Sequence, residues 1–382
     1  MSSDGVPEPR PLALSVRPSF ETPKDPLTVV DLFAGCGGLS LGVAQAAHEL
    51  GRGFDVRLAV EFNQSAADVY RANFPDARAV LVEDISALLS TDLDQPWSQA
   101  EKKMRKSVGK LDVLVGGPPC QGHSNLNNHT RRDDPKNALY ATMARAADVF
   151  SPDVIVVENV PAVLRDKHRG VNAVSVVRQR LVTLGYDVSD RVVSLFELGV
   201  AQKRKRHILL ATRGGKNTPQ DILDHLSKST TETVDLEWAI GDLMKTSSDG
   251  LFDRASTPSA DNIKRMKYLL RKNEYDLPNS LRPKCHQGEH SYKSMYGRLT
   301  WNEPAQTITS GFGSIGQGRY MHPDLPRALT PHEAARIQGF PDYFTFGNAT
   351  TRNALATMIG NAVPPQLAHR LLLDIFEARV AG

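Results

Sequence analysis

From Leu27 onward, short apolar runs alternate with longer segments of helical period. The runs are LTVVDLF (27–33), VRLAVEF (56–62), AVLV (79–82), LDVLVG (111–116), DVIVVENV (153–160) and RHILLAT (206–212). Runs of this length, rich in valine, isoleucine and leucine, are the pattern of strands buried on both faces of a parallel sheet. Between them, segments such as Ser40–Leu50 and Ala66–Asn73 are long enough to be crossover helices. The order is βαβα, so the expected fold class is α/β, a doubly wound and mostly parallel sheet.

The same pattern sets the expected boundaries. Residues 1–26 carry Pro7, Pro9, Pro11, Pro18, Pro23 and Pro26 with little apolar periodicity, and read as a flexible leader. The sheet domain occupies 27–212. Residues 213–297 mix Ser, Thr, Asp and Lys without a sustained period, as a second, smaller domain would. Organised segments return over 298–382: a loop with Gly311, Gly313, Gly316 and Gly318, a helix from about Thr330, and a last helix after Pro364-Pro365. That helix aligns Leu367, Leu371, Leu372 and Ile375 on one face. No internal repeat is found.

Composition changes this picture little. With 40% hydrophobic and 23% charged residues, the chain is neither disordered overall nor fibrous. A formal charge of +3 argues for no partner by itself, so electrostatics must come from local clusters. The basic run Lys102–Lys110 fits a solvated helix face. Cys36, Cys120 and Cys285 are too few and scattered for a disulfide framework. No run is long and apolar enough to span a bilayer, and the expected setting is cytoplasmic, associated with the nucleoid.

Three places carry candidate chemistry. In DLFAGCGGLSLG, Gly35, Gly37 and Gly38 fall where the first strand turns into the first helix, and Glu61 ends the second strand. This pairing suits a nucleoside-containing cofactor, with backbone amides and a ribose-binding acid. The dinucleotide fingerprint needs a glycine where Ser40 stands, which disfavours a pyrophosphate ligand. Taken alone, the glycines also fit a tight turn with no ligand. Asp84 adds a polar group after the third run, at the carboxyl edge of the sheet.

The fourth run ends in LVGGPPCQGHSN, which puts Cys120 on a loop stiffened by two prolines, a suitable mount for a nucleophile. Glu158 closes the fifth apolar run at the same sheet edge, as a proton donor there would, and taken singly it equally fits a Glu satisfied by backbone amides or an Arg. In Gln202-Lys203-Arg204-Lys205-Arg206, alternation places Gln202, Arg204 and Arg206 on one strand face. Two guanidiniums there suit a carboxylate, a phosphate or a base carbonyl.

Taken in order, DLFAGCGG, Glu61, Asp84, GGPPCQG, ENV, Q-x-R-x-R and the terminal GNAVPP resemble the DNA (cytosine-5)-methyltransferase family. The resemblance spans Leu27 to about Arg213 and Arg298 to about Phe376. It implies an S-adenosylmethionine-dependent, Rossmann-like methyltransferase domain over 27–212 and a target-recognition domain over 213–297. Residues 298–382 would hold the rest of that region and a helix returning to the catalytic domain. The resemblance places Phe33, Ala34, Gly35, Gly37 and Gly38 around the methionine part of S-adenosyl-L-methionine and Glu61 on its ribose. Phe62, Asp84 and Ile85 would lie near the adenine, with Pro119, Asn361 and Val363 completing the set.

The family acts on a cytosine rotated out of duplex DNA. By resemblance, Cys120 adds to carbon 6, Glu158 engages ring nitrogen 3, and Arg206, with Arg204 behind it, holds oxygen 2. Segment 122–137 would be the loop that closes over DNA, with Ser124, Arg131 and Arg132 on phosphates. His123 stands where many members carry an aromatic residue. In the middle region, Asn262–Lys293 carries eight Lys or Arg against three acids, with tyrosines interleaved, as suits a DNA-facing surface. Cys285, His286 and His290 are too few for a zinc site, and no metal is expected. The expected partner is double-stranded DNA, and the enzyme is expected to be monomeric and prokaryotic in style, either paired with a cognate restriction or defence system or an orphan. The alternatives are a tRNA-methylating member, whose Cys-Phe-Thr signature is absent, and a catalytically silent DNA-binding member, against which intact Cys120, Glu158 and Arg206 argue.

Overall fold

The computed structural model describes residues 11–20, 25–119, 138–165, 167–168, 171–228, 234–245, 250–287 and 294–380. The chain divides into two units: a sheet unit of Pro18–Leu198, Lys205–Thr231 and Val363–Gly382, and a second unit of Met1–Arg17, Gly199–Arg204 and Glu232–Ala362. In chain order the strands are β1 Leu27–Leu32, β2 Phe54–Val60, β3 Val80–Leu81, β4 Val113–Gly116, β5 Val154–Asn159, β6 Lys167–His168, β7 Val171–Asn172, β8 Asp187–Ser194, β9 Gln202–Lys203, β10 Lys205–Thr212 and β11 Ala305–Gln306. The helices are α1 Gly38–Glu49, α2 Gln64–Asn73, α3 Ile85–Leu88, α4 Gln99–Val108, α5 Ala138–Phe150, α6 Ala173–Thr183, α7 Pro219–Lys228, α8 Leu236–Ile240, α9 Ala260–Lys272, α10 Pro331–Ile337, α11 Arg352–Asn361 and α12 Pro365–Val380.

The sheet unit is built on seven strands in the order β3-β2-β1-β4-β5-β10-β8. Strands β3 to β5 pair in parallel, while β10 runs antiparallel between β5 and β8. Every residue of β1, β4 and β5 is buried, which is why these strands read as unbroken apolar runs. Val30 and Leu32 face a core with Met143 and Ala147 of α5 and Val177 and Leu181 of α6. On the opposite face, Ser40 of α1 meets Asp31. Helix α1 in turn lies so close to α12 that a side chain on Gly42 would run into the Pro365 carbonyl. Strand order reverses between β1 and β4, and ligands of open α/β sheets bind at the carboxyl end of such a reversal.

Two features depart from the sequence expectation. The leader is packed where it is described: Leu12 is buried, and the Leu12 and Leu14 carbonyls accept from the Asp342 and Tyr343 amides at 2.9 and 2.8 Å. Phe20 is also buried and sits edge-on to His48. Apolar residues between the prolines thus anchor a segment whose composition suggests none. The second feature is α7, which belongs to the sheet unit although it follows Arg213. Its Ile222, Leu223 and Leu226 are buried.

In the second unit, Met266 and Leu269 of α9 join Leu277, Tyr296, Ile315, Met321 and Ala328 in a small core. Helix α10 starts at a capping box in which Thr330 and Glu333 bond reciprocally. Its buried Arg336 bridges Asp242 and Asp342. Among the described residues no helix is long and apolar enough to cross a membrane.

Candidate active site

The glycine turn and the GGPP loop spring from paired neighbours, because Leu32 of β1 is in register with Gly116 of β4. In the turn, Phe33, Gly35 and Gly37 all have positive φ, at 58°, 54° and 102°. That conformation is uncommon for an aromatic residue and marks a backbone held in a set shape. Gly37 could not carry a side chain, since a Cβ there would stand 2.5 Å from the Phe74 ring and 3.0 Å from that of Tyr70.

Glu61 ties this turn to the end of β2. One carboxylate oxygen accepts the Gly35 amide at 2.9 Å and the other the Asn63 amide at 2.9 Å. Glu61 is buried, and that burial raises its pKa against the pull of the amides. The next residue, Phe62, is 70% exposed, an open aromatic face beside a buried acid. Asp84 is exposed and caps α3 by accepting the Ser86 amide, while Ile85 beside it is buried. Hydrogen bonds from Ser86 hold the Asp84 carboxyl below its usual range.

Beneath the turn lies a network with no counterpart in the expected site. Ser40 donates to Asp31 Oδ2 at 2.6 Å and lies 2.7 Å from the Tyr70 hydroxyl. Asp31 Oδ1 has no hydrogen-bond partner among the described residues. Burial drives the Asp31 carboxyl up to about 7, against the Ser40 hydrogen bond and with help from Glu61. A charged residue inside the all-buried run LTVVDL is the sequence signal that points to it. Because the folded-state value is raised, the cost of ionised Asp31 is absent at low pH and complete above about 7. Wild type should therefore lose stability relative to Asp31→Asn as pH rises from 5 to 8, by on the order of 2 kcal/mol. Urea unfolding of the two proteins across that range checks this, and parallel profiles would contradict it.

At the end of β5, Glu158 is buried and pairs with Arg206 of β10, whose Nε lies 2.5 Å from Glu158 Oε1. A Cβ on Gly117 would stand 3.2 Å from Glu158 Oε2 and 3.7 Å from a methyl of Val363. Asn159, next along β5, donates to the Pro118 carbonyl at 3.1 Å. The amide of the ENV motif therefore fixes the peptide that leads into Pro119 and Cys120, with the acid packed beside it. Cys120 itself lies outside the described residues, as do Ser124, Arg131 and Arg132.

Arg204 sits between β9 and β10, is assigned to the second unit, and donates to the Ile308 carbonyl at 2.8 Å. Its Nη2 also reaches the Ala362 carbonyl at 3.4 Å. Asn361 ends α11 in the second unit with its side chain exposed. Of the other cysteines, Cys285 is exposed, whereas Cys36 is buried with its thiol pushed up to about 12, too high for a thiolate nucleophile.

A sequence model of C-5 cytosine-specific DNA methylases matches residues 27–377. The chain belongs to that family. Its activity class is accordingly methyl transfer to carbon 5 of cytosine in DNA, carried on a methyltransferase α/β fold. The chain is 43% identical over 365 residues to the type II methyltransferase M1.BsuMI of Bacillus subtilis (strain 168), covering 95% of this chain and 83% of the relative. It is 31% identical over 352 residues to the type II methyltransferase M1.HphI of Haemophilus parahaemolyticus, covering 90% and 85%. Among solved structures, the Dnmt2 methyltransferase of S. pombe shares the fold at a TM-score of 0.62 and 17% identity, covering 93% of this chain and 99% of that one.

Proposed function

We propose that this methylase uses S-adenosyl-L-methionine and attacks a cytosine rotated out of duplex DNA through Cys120. The observation that carries the reading is the Glu158–Arg206 pair, held beside the Gly117–Pro118 peptide that leads to Cys120. The residues of the glycine turn fit the cofactor. Glu61, fixed by two amides, keeps lone pairs for ribose hydroxyls, and the open face of Phe62 is a stacking surface for a purine. Phe33, Ala34, Gly35, Gly37 and Gly38 would hold the methionine part, Asp84 and Ile85 the adenine edge, and Pro119, Asn361 and Val363 the remainder. When bound, the cofactor supplies an electrophilic methyl group on a sulfonium.

The chain's own part begins with Cys120. Its thiolate bonds to carbon 6 of the ring, which turns carbon 5 into an enamine-type nucleophile. Glu158, entering the step protonated, donates its proton to ring nitrogen 3 as the thiolate adds and is left as the carboxylate, to which the proton returns when the adduct breaks down; Arg206 orients the Glu158 carboxyl and offers N–H donors to oxygen 2. After transfer, loss of the carbon-5 proton to a base and cleavage of the Sγ–carbon 6 bond restore the aromatic ring and the free thiolate. Arg204, which donates to the Ile308 carbonyl, would stand behind Arg206 in support. Ser124, Arg131 and Arg132 would hold phosphates, and the biological setting would be type II modification paired with a nuclease, with the protein acting as a monomer in the cytoplasm.

Incubation with labelled cofactor, duplex DNA and tRNA, followed by base-resolution mapping of methylcytosine, tests the proposal. Label should enter DNA alone, at cytosines in one short sequence context. Label confined to tRNA would reject it.

A further inference from the structure

In the second unit, three buried polar side chains converge on two segments that are distant in sequence. Gln202 Nε2 donates to the Ile337 carbonyl at 3.1 Å and to Gln338 Oε1 at 2.6 Å, and its Oε1 accepts the Ile308 amide at 3.1 Å. Gln338 donates in turn to the Ile359 carbonyl at 2.6 Å. Arg204 Nη1 takes the Ile308 carbonyl at 2.8 Å, and its two terminal nitrogens reach the Gly360 carbonyl at 3.5 Å. Gln202 and Gln338 are both 0% exposed. Both backbone groups of Ile308 are thereby tied to the turn bearing Asn361, the carbonyl through Arg204 and the amide through Gln202 and then Gln338. Gly360 completes the junction, because a side chain there would collide with the Ser310 amide.

What each segment presents outward is different. Asn361 is exposed at the end of α11. Immediately after Ile308, Thr309 and Ser310 are exposed, at the root of the glycine-rich segment. No acidic residue occurs between Glu303 and Asp324, and Arg319 in this stretch is held by Asp276 and the Tyr275 and Arg298 carbonyls, so the exposed Thr309 and Ser310 offer a polar edge free of negative charge for the DNA backbone. We infer that Gln338 is a positioning residue which, through Gln202 and Arg204, couples cofactor binding at Asn361 to DNA binding at Thr309–Ser310. The inference rests on the proposed function for Asn361 as a cofactor contact. Each buried amide of the hub has its partners in one arrangement. A shift of Ile308 is therefore passed to Ile359 instead of being absorbed by solvent.

The test is the affinity for S-adenosylhomocysteine, titrated calorimetrically with and without a saturating short duplex carrying the mapped site. In wild type the duplex should change that affinity by about fivefold or more. In Gln338→Met, which keeps volume and removes both hydrogen bonds, the factor should fall by about half or more, the remainder being carried by Arg204, while each ligand alone binds as before. A wild-type factor of one, or an unchanged factor in the variant, would overturn the inference. Wild type that bound no S-adenosylhomocysteine at all would instead defeat the proposed function. A measurement on wild type alone guards against a variant that does not fold. S-adenosylhomocysteine should slow amide hydrogen exchange over 307–312, and unchanged exchange there would overturn the coupling.

Discussion

Cys120→Ser is expected to lower methyl transfer by on the order of 10⁴-fold or more, with affinity for S-adenosylhomocysteine unchanged. A serine hydroxyl is a poor nucleophile at neutral pH unless a base removes its proton, and Glu158, the acid proposed to act on the same base, is engaged with Arg206. The cofactor-side residues Glu61, Gly35 and Asn63 form their own hydrogen-bonded group and do not depend on the thiol. A duplex with 5-fluorocytosine at the mapped site sharpens the test, because fluorine cannot leave as the proton does and the adduct should persist. Wild type should give a denaturation-resistant complex joined through the peptide containing Cys120. Cys36→Ala should give the same complex, since the Cys36 thiol is buried and protonated. Full turnover by Cys120→Ser, or a crosslink that survives it, would remove the nucleophile from the account.

How much of this could be read from the chain varies from element to element. Strands β1, β4 and β5 were legible because helices cover both faces of the sheet and every position had to be apolar. Strand β8 was not. It is the outermost strand, with only Ser189 and Val193 buried, and its sequence DVSDRVVS carries no apolar run. Helix α9 was hidden for a similar reason, since only Met266 and Leu269 of its thirteen residues are buried. In the site, Glu158 stood out as an acid closing an apolar run, and the structure does pair it with Arg206. Asp31 gave the same kind of signal inside β1 but belongs to no expected role. Gln338 gave none, because its hub partner Gln202 is 136 residues away and nothing local to either shows the contact.

The Glu158–Arg206 pair supplies the second large effect. Glu158→Gln keeps the shape but removes the charge and the exchangeable proton, and should lower kcat by about 10²- to 10⁴-fold. Arg206→Ala should lower it by about 10²- to 10³-fold, as loss of a fixed donor does elsewhere, and it also leaves Glu158 buried without its cation. If the two side chains act on the base as one hydrogen-bonded unit, their losses cannot add. The double variant Glu158→Gln/Arg206→Ala should then be no slower than about the worse single variant. The affinity of all three for S-adenosylhomocysteine should match wild type, which separates a chemical defect from a collapsed cofactor turn. Strictly multiplicative losses would show two independent roles and would leave the ion pair as a structural contact between β5 and β10.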